Sequence, residues 1–166
     1  MTIHDLNNMD QRELKELLYQ CCGSRGWSKM MLTHFPTEDL VELIENAEEA
    51  WNECSEEEWK EAFSQHHRIG DLETLKARFE GNAAGEEQAS VKSASRETLE
   101  ELARANEEYE KKFGYIFIVC ASGKSPEELL ELMKSRMNNP PAIEMRIAAD
   151  EQMKITRLRL EKMLQS

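Results

Sequence analysis

The residues of this chain best suited to chemistry are few and scattered. Adjacent His66 and His67 run directly into Arg68, Ile69 and Gly70. Neutral imidazole is the side chain best placed to exchange a proton near pH 7. The pair falls at an expected helix exit, so proton transfer and a solvated loop around a packed Ile69 are both open readings. A metal site is the poorer reading, because successive residues on a helix point in different directions, unlike the same-face histidines of HExxH. His4, placed at an expected frayed terminus, and His34 read as ordinary surface or packing residues. Arg159 follows Ala148, Gln152 and Ile155 at spacings of four, three and four. On a helix this puts it on the inward face with Ile155. An arginine there needs an anionic partner, from a ligand or from the protein, unless it snorkels to solvent. Glu86 and Glu87, followed by Gln88, read by themselves as a solvated acidic stretch. Cys21, Cys22, Cys54 and Cys120 form no CxxC and no zinc-type spacing, so they read as buried reduced thiols.

The scaffold that must hold these groups is helical. The 166 residues carry 21 Lys+Arg against 33 Asp+Glu, a net charge of −12, with 40% hydrophobic residues. That is enough chain and apolar content for a core. The acidic balance argues against a nucleic-acid partner, and no apolar run reaches the roughly 18 residues of a membrane span. The polar N-terminal stretch does not read as a secretory signal, nor Leu164-Gln165-Ser166 as a peroxisomal address, which makes the cytoplasm the expectation.

Apolar spacing predicts a helix over 10–22 through Leu14, Leu17, Leu18 and Cys21, then a short apolar face at Trp27, Met30 and Met31. Thr37 reads as the N-cap of a helix through Leu40, Leu43, Ile44, Ala47 and Trp51. Ser55 and Glu58 form a capping-box pattern ahead of Trp59, Ala62 and Phe63. A short helix is expected over 71–79, and a loop with at most one helical turn over 80–93. Ser95 reads as the cap of a long helix to about Lys112, stopped at Phe113-Gly114. The run Tyr115 to Ala121 is β-branched and aromatic, but no second strand offers to pair with it. It is therefore expected to be a buried extended stretch or the apolar start of a helix. Ser125-Pro126 opens the next helix, Asn138-Asn139-Pro140-Pro141 closes it, and the last runs over about 142–164. The expectation is an all-α fold of seven to nine helices in one domain, residues 1–166.

Several of these marks recur together in one family. Cys21-Cys22-Gly23-Ser24 is followed by Trp27 and the Trp51 region. His66-His67-Arg68-Ile69-Gly70 and Glu87-Gln88 come next. Then follow Phe113-Gly114-Tyr115-Ile116-Phe117-Ile118-Val119-Cys120-Ala121, and finally Ile155 with Arg159-Leu160. In this order and at these separations the chain resembles the 2-oxo-4-hydroxy-4-carboxy-5-ureidoimidazoline (OHCU) decarboxylases of uric acid breakdown. The family pattern is His-Pro-Arg-Ile-Gly. Here His67 stands in the proline's place, which removes the φ lock and adds a second titratable ring. Ala84 stands where the family commonly has a serine.

The resemblance implies a cofactor-free, metal-free all-α enzyme, often a homodimer, that turns its small-molecule substrate into S-allantoin and CO2. His66 and Glu87 take the catalytic positions. The resemblance also implies substrate contacts from His67, from Ala84, Gly85, Glu86 and Gln88, from Phe117, Ile118, Val119, Cys120 and Ala121, and from Arg159. The substrate's ring imine accepts the electrons released with CO2, which is why neither a metal nor an organic electron sink is implied. Two other readings stay open on the residues alone: a non-catalytic acidic helical module, and a hydrolase or lyase acting on a related ureido compound.

Overall fold

The computed structural model describes the backbone of residues 1–66 and 86–165, and the side chains of 1–66 and 96–165. The described residues form eight helices and no strand. None of these helices is long and apolar enough to cross a membrane. The expected helix over 71–79 lies outside the described residues. The chain divides into two units, 1–65 with 149–166, and 66–148.

The first unit begins with α1 (Ile3–Asn7), where a frayed terminus was expected. A reciprocal capping box orders it: Asp5 N–H donates to Thr2 Oγ1 at 3.1 Å and Thr2 N–H to Asp5 Oδ2 at 2.8 Å. Leu6 is thereby buried. Asp10 caps α2 (Gln11–Cys21), which buries Leu14, Leu18 and Cys21 and leaves Leu17 half-buried. Ser24 caps α3 (Arg25–Leu32), which buries Trp27 and Met31. The Trp27 indole N–H donates to the Ala47 carbonyl at 3.0 Å, so this large ring is buried without stranding its polar atom.

The cap of α4 (Leu40–Glu53) is Asp39, not Thr37. Asp39 Oδ1 accepts from Glu42 N–H at 2.9 Å. Thr37 is buried instead, its backbone tied to the Asn7 side-chain amide through two bonds of 2.8 Å. A long-range pair thus won over the local cap pattern. Ser55 and Glu58 cap α5 (Glu56–Ser64) as their spacing predicts. Trp51 closes the unit by donating to the Ala149 carbonyl at 2.8 Å.

In the second unit α6 (Glu86–Phe113) starts well before Ser95, so at least 86–93 is helix where a loop was expected. Gly114, at φ 85, ends it; this left-handed turn is open to glycine at no steric cost. Ser125 then caps α7 (Pro126–Arg136), with proline at the first helical position. The last helix, α8 (Pro141–Gln165), runs across the boundary between the units.

Residues 116–121 lie between α6 and α7 as neither helix nor strand, with Ile116, Phe117, Ile118 and Val119 buried. The expectation of a buried, unpaired stretch holds. Tyr109 anchors it from α6: its ring centroid lies 5.9 Å from that of Tyr115 and 5.2 Å from that of Phe117, both edge-on.

Candidate active site

His66 is bonded directly to Gln65, the C-cap of α5, and is half-buried. The Gln65 side chain lies against Gly23, in the Cys21–Ser24 junction between α2 and α3. A Cβ built on Gly23 would meet Gln65 Cγ at 2.3 Å and Gln65 Cβ at 2.8 Å, closer than real atoms approach. Only glycine lets this junction lie so close to the residue before His66.

The same junction holds Arg159. Its Nη1 donates to the Cys21 carbonyl at 3.2 Å, across 138 residues of sequence. That carbonyl belongs to the last turn of α2, where backbone acceptors lack helical partners and the helix dipole favours a cation. Arg159 is exposed rather than inward-facing. Beyond Ala148 the buried stripe of α8 passes through Ala149, Gln152, Thr156 and Leu160, which leaves Ile155 half-buried and Arg159 on the stripe's margin. Among the described residues no carboxylate lies within ion-pair reach of Arg159.

The thiols of the first unit are buried and free of disulfides, as their lone spacing suggested. Burial pushes Cys21 up to about 11, against a smaller lowering by the nearby Arg159 charge. Burial likewise raises Cys22 and Cys54 to about 12. These are neutral packing groups at neutral pH, not nucleophiles. Cys120, in the second unit, is half-buried.

Of the other expected site residues, His67, Ala84 and Gly85 lie outside the described residues. Glu86, Glu87 and Gln88 occupy the first backbone turn of α6. Phe117, Ile118 and Val119 are buried, and Cys120 and Ala121 half-buried. Lys124 Nζ donates to the Cys120 carbonyl at 3.2 Å.

A residue that sequence reasoning missed fastens this run. Arg136, on α7, is 8% exposed in its side chain and pairs with Glu144, which is 0% exposed. Its Nη1 donates to the Ile118 carbonyl at 2.8 Å. The signal was available: Leu129, Met133 and Arg136 follow one another at spacings of four and three on a buried face. The rule that a buried arginine demands an anion is met here and not at Arg159.

A family model described as OHCU decarboxylase matches residues 7–161. The chain belongs to that family. It is 41% identical over 146 residues to the Uric acid degradation bifunctional protein TTL of Arabidopsis thaliana, covering 86% of this chain and 45% of that protein. The chain therefore spans less than half of this plant relative. It is 24% identical over 161 residues to the 2-oxo-4-hydroxy-4-carboxy-5-ureidoimidazoline decarboxylase of Haloferax volcanii, covering 96% of this chain and 94% of that one. A crystal structure of an OHCU decarboxylase in the presence of (S)-allantoin superposes with a TM-score of 0.75 at 36% identity, over 95% of this chain and 100% of that one. The all-α architecture expected from the sequence is thus the family's architecture.

Proposed function

We propose that the chain decarboxylates 2-oxo-4-hydroxy-4-carboxy-5-ureidoimidazoline to S-allantoin and CO2, as a cytoplasmic homodimer working without a bound cofactor. The observation that carries this reading is the family match over residues 7–161, a span that includes His66, Glu87 and Arg159, the residues to which the sequence resemblance gives the chemistry. The exposed guanidinium of Arg159, steadied by one carbonyl, supports an anion-binding role. It would hold the substrate's negative charge through charge-assisted hydrogen bonds.

The bond from the ring carbon to the carboxylate breaks, and its electron pair flows toward the adjacent ring C=N, whose nitrogen takes up a proton. The product of that step is an enol. Its hydroxyl gives up a proton to restore the carbonyl, while the neighbouring carbon accepts one on a single face. One proton in all is taken from solvent. His66 and Glu87 perform these transfers, an imidazole and a carboxylate being side chains that carry protons in general acid–base catalysis. Backbone groups of Phe117–Ala121 hold the ring amides.

The test generates the unstable substrate in place from urate and follows optical activity. Rapid growth of the S-allantoin signal on adding the protein is expected. No acceleration over the spontaneous, racemic decay refutes the reading and leaves the interaction-module or ureido-hydrolase alternatives.

A further inference from the structure

The decarboxylase reading assigns backbone contacts to Phe117–Ala121 without saying what orients them. Arg136 supplies that orientation. Its Nε and Nη2 both donate to Glu144 Oε2, at 2.9 and 2.6 Å, and its Nη1 is spent on the Ile118 carbonyl. Its Cζ lies 4.2 Å from the Phe117 ring centroid. Glu144 is fixed in turn by the Tyr109 hydroxyl and by Asn139 Nδ2. A buried ion pair is a poor way to gain stability, since apolar side chains of similar volume do as well or better. What they cannot do is donate to a backbone carbonyl.

The Ile118–Val119 peptide is trans, so its N–H points opposite to its carbonyl. Tying that carbonyl to Arg136 therefore turns the Val119 N–H away from Arg136. Lys124, on the Cys120 carbonyl, turns the Ala121 N–H in the same manner. We infer that Arg136 is a positioning residue for the reaction: its bond to the Ile118 carbonyl presents the Val119 N–H as a fixed donor to a ureide or cyclic-amide carbonyl of the bound molecule. The inference rests on the decarboxylase reading and names what that reading's backbone contacts depend on. A donor held in place before the ligand arrives costs no reorganisation on binding.

Arg136→Lys tests it. Lysine keeps the charge and reaches Glu144, but lacks the fork that serves Glu144 and Ile118 together. Loss of a fixed donor is expected to raise KM, and Kd for S-allantoin, about tenfold or more. The pH dependence of kcat, set by the proton-transfer groups, is unchanged. Leu102→Val, a cavity variant of the same unit, lowers Tm and leaves KM and Kd as they are. In the wild type, saturating S-allantoin slows hydrogen exchange of the Val119 amide. Wild-type KM and Kd in Arg136→Lys overturn the inference, as does Val119 exchange that the ligand does not alter. Should Arg136→Lys fail to fold, the exchange measurement decides alone. A wild type that neither turns over the substrate nor binds S-allantoin overturns the decarboxylase reading itself. A wild type that does both, beside an Arg136→Lys equal to it, overturns only the role of Arg136.

Discussion

Replacing Arg159 with lysine separates an anion-binding role from a structural one, and the structure sets the expected sizes. Among the described residues Arg159 makes one hydrogen bond, 3.2 Å long, to the Cys21 carbonyl. Such a bond is worth about 0.5–1.5 kcal/mol net, and a lysine retains the favourable charge at the end of α2. The stability change should stay below about 1 kcal/mol, a fall in Tm of less than about 4 °C for a chain of this size. Ligand binding should suffer more. Losing a charge-assisted hydrogen bond costs about 1.5–3 kcal/mol, a roughly 10- to 150-fold rise in Kd. At S-allantoin equal to about 100 times the wild-type Kd, the ligand stabilises the wild type by about 2.7 kcal/mol. The same concentration would stabilise Arg159→Lys by only about 0.3–1.4 kcal/mol. Thermal melts of both proteins, with and without S-allantoin, measure all four quantities. A variant whose free Tm drops well beyond 4 °C (about 1 kcal/mol) while its ligand-induced shift equals that of the wild type refutes the reasoning.

Four further outcomes are expected. His66→Ala or His66→Asn should lower kcat by about 10²–10⁴-fold with the far-UV and near-UV spectra intact, whereas His67→Pro should stay active; the reverse pattern in single-turnover assays would move the proton-transfer role to His67. Gly23→Ala should lower turnover per folded molecule, because its new Cβ meets Gln65 Cγ and Cβ at 2.3 and 2.8 Å; adding Gln65→Gly should restore it, and a double variant as slow as the single one would show that the effect does not pass through Gln65. Burial raises Cys22 and Cys54 to about 12 from an ordinary 9.0, so the native state holds protons that the unfolded chain releases. Their contribution is complete below pH 9 and is lost as pH climbs toward 12, so denaturation midpoints should fall over that range, less steeply in Cys22→Ala. At pH 8, iodoacetamide should label Cys120 in the native protein and reach Cys22 and Cys54 only in denaturant.

Where local chemistry decided the structure, the sequence was readable. Ser55 with Glu58, and Ser125 with Pro126, carry their capping chemistry in a few adjacent residues, and both helices start there. Readings failed where distant residues intervened. Thr37 is a good N-cap by type, yet Asn7 claims its backbone from 30 positions away and Asp39 takes the cap. The start of α6 falls before the expected one because residues 80–93 mix glycine, alanine and glutamate without a clear apolar period, so the sequence offers no stripe to read there.

The two arginines show the same limit at the site. Helical spacing puts both Arg136 and Arg159 on apolar faces, and it does not distinguish them. What distinguishes them is the other side of the contact. Arg136 faces Glu144, Tyr109 and the Ile118 carbonyl, three groups contributed by three other segments. Arg159 faces the end of α2 and no carboxylate among the described residues. A buried cation with its anion supplied by the protein is committed to the fold, and what it can do for the reaction is orient a peptide. An exposed cation that has only a carbonyl retains most of its charge for a ligand. Residue type and spacing alone therefore put Arg159 on the inward face, where it is exposed, and passed over Arg136, which is buried. Which of them serves the substrate directly, and which serves it through the backbone, follows from the partner each guanidinium already has.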